Sequence, residues 1–178
     1  MEFEDDVIAD FCLRKMTPEI ILEVNSACSE TDLKKFYGIH YKDSLLKEKN
    51  KIDLGLRTYN KSFLYFNIFN KTGDQLLGWC GYHTWYLEHN RAEIGYQWFL
   101  EDAKNKGHMS KVLKWVINYG FNEMNLNRIE AMTASYNKAS KAILRKFNFE
   151  KEGLLKKHYL INGVFEDSEV YALFKETN

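Results

Sequence analysis

Two kinds of apolar pattern alternate along the chain. Short runs rich in aromatic and β-branched residues, bounded by Gly, Asn and Asp, predict strands; apolar residues recurring every three or four positions predict helices. Val7 to Arg14 reads as a first strand. Thr17-Pro18-Glu19 then opens a helix, with Thr17 as N-cap and Pro18 at the first helical position, where a missing N–H is harmless. Residues 31–58 mix helical periodicity with loop signals. Phe63 to Phe69 is a strand, turned by Lys71-Thr72-Gly73-Asp74 into a second over Leu76 to Trp85. A polar turn at Glu88 to Asn90 leads to a third, Ala92 to Leu100. After a glycine-bearing loop, Glu101 to Gly107, comes a long helix that ends near Met124. Met109, Val112, Leu113, Val116, Gly120 and Met124 share one of its faces. Arg128 to Thr133 is a strand and Lys138 to Phe147 a helix. Two last strands are joined by Asn162-Gly163, the strongest short hairpin signal.

The order predicts an α/β (α+β) domain with a mixed, mostly antiparallel sheet of about seven strands flanked by helices, rather than a doubly wound parallel sheet. Pro18 is the only proline, and no Gly/Ser-rich linker or repeat interrupts the chain, so a single domain is expected over residues 8–176. Lys plus Arg and Asp plus Glu number 25 each, so no bulk charge recruits nucleic acid or an anionic membrane. No apolar run approaches the roughly eighteen residues that cross a bilayer. The acidic stretch Met1 to Asp6 lacks a signal-peptide pattern, and Cys12, Cys28 and Cys80 are scattered. A cytoplasmic protein with reduced, structural cysteines is the expectation. Five histidines show no ligand spacing, so no metal is expected.

The most informative stretch is Lys104-Asn105-Lys106-Gly107-His108-Met109-Ser110, set between a strand and a helix. Such a loop turns backbone N–H groups towards a ligand at the positive end of the helix dipole, which suits a pyrophosphate. Gly107 permits close approach, and Lys104 and Lys106 add positive charge. By itself the pattern is equally that of a plain connector, and it is neither a P-loop nor a GxGxxG fingerprint.

Ala92-Glu93-Ile94-Gly95-Tyr96, followed by Lys104 to Met109, resembles the central motif of the GNAT superfamily of acetyltransferases, which reads (Gln/Arg)-x-x-Gly-x-(Gly/Ala). Asn137-x-x-Ser140, Phe147 to Gly153, Asp167 and Tyr171 resemble the further signature of the branch that contains the ribosomal-protein-alanine N-acetyltransferases. Lys104 stands for Gln or Arg, Met109 for Gly or Ala, and Asn148 for the Gly before Phe149. The similarity runs over most of the chain.

The resemblance implies direct transfer of acetyl from acetyl-CoA to an amine in a ternary complex, the acceptor being a small molecule or a protein N-terminus, by a monomer or homodimer. It implies that the backbone of Gln97, Trp98 and Phe99 pairs with the pantetheine arm along a splayed strand, while Lys104 to Ser110 holds the pyrophosphate. Glu93 occupies the position of a general base; its ordinary alternative is a salt-bridged strand residue. Asn137 faces the cofactor and Ser140 lies near the sulfur, although both also suit a helix N-terminus. Leu144 stands where many members carry an acidic tyrosine, which shifts the donor role to Ser140, with Tyr136 as an alternative. Cys80, Trp79, Trp85, Trp98 and Trp115 read as core. The rival functions are a silent acyl-CoA-binding module and an unrelated phosphate-ligand protein.

Overall fold

The computed structural model describes residue 3, residues 5–100 and residues 107–176. In chain order the elements are β1 (Asp5–Ile8), β2 (Phe11–Met16), α1 (Pro18–Ala27), α2 (Glu30–Tyr37), α3 (Lys42–Asp53), β3 (Lys61–Asn70), β4 (Leu76–Tyr86), β5 (Arg91–Trp98), α4 (His108–Asn122), β6 (Arg128–Ala134), α5 (Lys138–Lys146), β7 (Glu150–Ile161) and β8 (Val164–Phe174). The local signals act where they stand. Thr17 Oγ1 accepts from the Ile20 N–H at 3.3 Å with Pro18 beside it, so α1 starts at its capping residues. Asn162 and Gly163 take φ of 50° and 80°, as a type I′ turn between β7 and β8 requires. Residues 31–58 resolve into α2 and α3, and β5 ends at Trp98, two residues before the expected Leu100.

The first strand does not run through. Ala9 takes φ of 49° and the chain folds back, pairing Ile8 with Phe11 and Asp5 with Arg14. Asp10 is the one turn-favouring residue here, and without Gly or Asn beside it the signal in the sequence is weak. What holds the hairpin is Arg14, whose buried guanidinium donates to both Asp5 carboxylate oxygens at 2.8 and 2.7 Å. It also donates to the carbonyls of Lys35 and Phe36 in α2, at 2.8 and 3.2 Å. The split brings the sheet to eight strands among the described residues, in the order β1-β2-β3-β4-β5-β6-β8-β7.

Every neighbouring pair is antiparallel except β5 and β6. These two pair only through Arg91–Arg128, Ala92–Ile129 and Glu93–Glu130, and then diverge. Their closed end is knitted by charge: Glu130 accepts from Arg91 and from Arg128, each at 2.7 Å, and Arg128 also grips Glu152 on β7. No helix among the described residues is long and apolar enough to cross a membrane.

Strand alternation sorts the side chains onto two faces. On one, Leu64, Phe66, Cys80, Tyr82 and Ile94 pack with Val112, Leu113 and Val116 of α4 and with Leu144 of α5. On the other, Met16, Phe63 and Tyr65 meet Ile21, Leu33, Phe36 and Leu45 of α1, α2 and α3. Helix α4 is held close by Tyr82, which donates to the Val116 carbonyl at 2.9 Å. Its ring lies against Gly120, where an added Cβ would fall 2.1 Å from the phenol oxygen.

Gly120→Ala gains about 1 kcal/mol of helix propensity, yet it is expected to destabilise the protein by on the order of 1 kcal/mol or more net, through overpacking of a buried ring. Urea unfolding checks this. The loss should shrink in a Tyr82→Phe background, where the clashing oxygen is gone.

Candidate active site

Beyond Glu93 and Glu130 the fork between β5 and β6 becomes an aperture through the sheet. On its inner side β5 stays paired with β4 as far as Trp98 with Gly78, and the Phe99 N–H continues to the Leu77 carbonyl at 2.8 Å. Its outer edge has no strand beside it among the described residues. Backbone N–H and C=O groups there are open to an extended ligand lying in the wedge as an added strand would.

Helix α4 begins at this wedge. Its N-cap is Gly107, at φ 76°, with no side-chain cap and no acidic residue in the first turn. In contrast, α1, α2 and α5 are capped by Thr17, Ser29 and Asn137. Among the described residues, no side chain caps the first turn of α4, a place whose N–H groups and positive dipole end suit an anion. A Cβ at Gly107 would meet nothing within 4 Å among the described residues. A cleft of about 530 Å³ runs along the helix start, lined by Gln97, Trp98, Gly107, His108, Met109 and Ser110 among others. His108 stacks on Trp98 at 5.6 Å and sets its edge to Phe11 at 5.3 Å, and Met109 packs on the core. These side chains anchor the helix start, and what they offer a ligand is backbone.

A second cleft of about 350 Å³ continues from the first, sharing Tyr96, Asn137 and Ser140. Ser140 Oγ lies 3.0 Å from the Tyr96 hydroxyl. Burial pushes the Tyr96 pKa up, and the hydrogen bond with Ser140 opposes it, so the phenol is a neutral donor at physiological pH. The opposite wall carries Glu93, whose side chain is 14% exposed. Burial, then the neighbouring Glu130 carboxylate, raises its pKa, while His158 pulls the other way. A carboxylate raised in this way is a stronger base at neutral pH. His83 Nε2 stands 3.5 Å from Glu93 Oε1, and burial lowers the His83 pKa. On the α1–α3 face, two adjoining hollows of about 300 and about 270 Å³ share Tyr37, Glu48, Lys51, Tyr65 and His83.

The structure thus gathers Glu93, Gln97, Trp98, Gly107, His108, Met109, Ser110, Asn137 and Ser140 around one continuous opening. Lys104, Asn105 and Lys106 lie outside the described residues. Phe99 and Gln97 depart from expectation: the Phe99 N–H is committed to Leu77, Gln97, two residues back in the same ladder and opposite Trp79, turns its backbone groups the same way, and the Phe99 side chain borders the hollow near Tyr37. Asn137 Oδ1 accepts from the Ser140 N–H at 3.0 Å, the ordinary capping bond, which leaves the amide nitrogen to reach into the cleft. Tyr136 is exposed, and the nearby Glu166 carboxylate raises its pKa. Leu144 and Cys80 are fully buried, and burial pushes the Cys80 thiol up, away from nucleophilic use. Sequence reasoning singled out neither Tyr96 nor His83 nor Tyr159, all of which line the second cleft. Tyr96 stands within the quoted motif, yet only tertiary contact brings it to a serine 44 positions later.

Residues 10–150 match the family model for the acetyltransferase (GNAT) domain. Over 164 residues the chain is 31% identical to the uncharacterized N-acetyltransferase YoaA of Bacillus subtilis (strain 168), covering 92% of each. It is 30% identical over 120 residues to the ribosomal protein uS5-alanine N-acetyltransferase of Escherichia coli (strain K12), covering 63% of this chain and 58% of that one. Among solved structures, a ribosomal L7/L12 α-N-protein acetyltransferase in complex with coenzyme A superposes with a TM-score of 0.68. At 20% identity, over 95% of this chain and 96% of that one, this is a likeness of fold.

Gly107→Val puts a β-branched residue at a left-handed position just before α4. Coenzyme A affinity, measured by calorimetry, is expected to fall by about tenfold or more, with an unchanged circular dichroism spectrum. An unaltered dissociation constant in the folded variant would remove the helix start from the binding site.

Proposed function

Because the chain belongs to the GNAT acetyltransferase family, we propose that it transfers acetyl from acetyl-CoA to a primary amine, either a small molecule or a protein N-terminal α-amino group. The observation that carries this reading is the aperture. The start of α4 stands on one side of it and a half-buried carboxylate on the other, so phosphate and amine approach a common point from opposite faces.

In this reading the N–H groups of His108, Met109 and Ser110 hold the pyrophosphate, and Gly107 allows it close. The free edge of β5 at Trp98 pairs with the pantetheine arm, with the Asn137 amide beside it. These contacts bring the thioester to the junction of the two clefts, next to Ser140 and Tyr96. The amine, on the Glu93 side, bonds through nitrogen to the carbonyl carbon, and its proton goes towards the Glu93 carboxylate. As the C–S bond breaks, the Ser140 hydroxyl donates a hydrogen bond to the departing thiolate, and Tyr96 supports that hydroxyl from behind. The chain has no need of a covalent acyl carrier for this, and Cys80 is sealed in the core.

Turnover should fall as pH drops through the raised Glu93 pKa, because the protonated carboxyl no longer accepts a proton. Glu93→Gln is expected to lose about 10²-fold in turnover with little change in acetyl-CoA affinity, and the loss should shrink at high pH, where solvent supplies the free amine. Thiol release against a panel of amines measures this. Wild-type turnover in Glu93→Gln from about pH 6 to about pH 9 would exclude Glu93 as proton acceptor. Ser140→Ala should also slow turnover, but without rescue at high pH, since the group it removes serves the leaving sulfur.

A further inference from the structure

The irregularity in β4 supplies a residue that no motif marks. Against β5, Tyr82 pairs with Ile94 and Thr84 with Glu93; against β3, Tyr82 pairs with Leu64 and Trp85 with Ser62. His83 is therefore the extra residue of a β-bulge, a device that interrupts the alternation of side chains and re-aims one of them. Its ring lies on the Glu93 face, edge-on to Trp79 with centroids 6.3 Å apart. Both rings cover Gly95, where a Cβ would sit 2.7 Å from His83 Cδ2 and 2.7 Å from Trp79. Glycine at that point of β5 is what lets them close on the strand. The imidazole consequently borders the second cleft and both hollows of the α1–α3 face.

Resting on the acetyl-transfer reading above, we propose that His83 relays the acceptor amine's proton to the Glu93 carboxylate, and that the acceptor enters through the hollow walled by Tyr37, Tyr65 and Glu48. Nδ1 lies 3.1 Å from Thr84 Oγ1, and Nε2 lies 3.5 Å from Glu93 Oε1. With the Nδ1 proton donated to the Thr84 hydroxyl, the Nε2 lone pair is free for the amine. The His83 side chain is 39% exposed, and the partial burial it has lowers its pKa, which favours the neutral form that accepts a proton. The groups around it are Glu93 on β5, Tyr65 on β3, Tyr37 on α2, Glu48 and Lys51 on α3, and Tyr159 on β7. Glu130 and His158 act on Glu93. Glu48 pairs with Lys51 at 2.7 Å, and Glu93, 3.5 Å from Nε2, is the carboxylate set against the ring.

The steps balance. An acceptor arriving as ammonium gives one proton to solvent. Its neutral nitrogen bonds to the thioester carbon while a second proton passes to His83 Nε2. The C–S bond breaks, and the thiolate leaves with a proton from solvent. The imidazolium, stabilised beside the carboxylate, returns its proton through Glu93 to water. Ammonium plus acetyl-CoA gives amide, coenzyme A and one proton.

The test has two arms. His83→Ala is expected to lose about 10²-fold in kcat/KM for the acceptor, with acetyl-CoA affinity unchanged and activity partly restored by added imidazole. Wild-type kcat/KM in this variant overturns the proposal, as does a loss that imidazole leaves untouched. The second arm follows the His83 ring by NMR titration without turnover, its signal assigned by its disappearance in His83→Ala. In Glu93→Gln the His83 pKa should fall, because the carboxylate that favours the imidazolium has become neutral. A His83 titration indifferent to Glu93→Gln sinks the pair by itself. A wild type that transfers acetyl to no amine sinks instead the reading on which the proposal rests.

Discussion

Everything at the site depends on how short the parallel pairing of β5 and β6 is. Three residue pairs hold the strands together, and the charged cluster of Arg91, Arg128, Glu130 and Glu152 fastens that end. Beyond it both strands continue without each other, β5 sustained by its ladder to β4 and β6 by its ladder to β8. Each divergent strand is thus half satisfied, which keeps the wedge open without a buried row of unpaired backbone groups. The wedge also lies where the carboxyl ends of two parallel strands feed helices, the place where open α/β sheets bind ligands.

The aperture joins two faces that are otherwise chemically distinct. One is packed tightly against α4 and α5, where Tyr82 and Gly120 set the helix close to the sheet. The other, under α1, α2 and α3, keeps hollows lined by aromatic rings and one ion pair. The charges follow the same division: the Glu93 carboxylate and the His83 imidazole stand on that side, the Tyr96 and Ser140 hydroxyls towards α5. Burial raises the Glu93 pKa and lowers that of His83, and so brings two groups of different type towards a common proton affinity.

Much of the fold was legible because its signals are local. Thr17-Pro18, Asn162-Gly163 and the apolar stripe from Met109 to Met124 act within a few residues of themselves, and each appears where its spacing implied. The first strand was misread because the turn at Ala9 carries little turn chemistry and is held by Arg14 reaching across to Asp5 and α2. That interaction spans elements, and no window along the chain contains it.

By itself the sequence determined the order of elements from β3 onwards, the glycine at the start of α4, the strand that bears Glu93 and the capping pair Asn137 and Ser140. All of these follow from backbone preference and from spacing within one element. Tertiary structure alone decided which of them share a site. The bulge that turns His83 towards Glu93 arises from a register mismatch among three strands, and the Tyr96–Ser140 contact arises from the docking of α5 over the wedge. Such contacts are made between segments whose sequences do not refer to one another. Their partners are set by packing and sheet register, quantities that exist only once the chain has closed on itself.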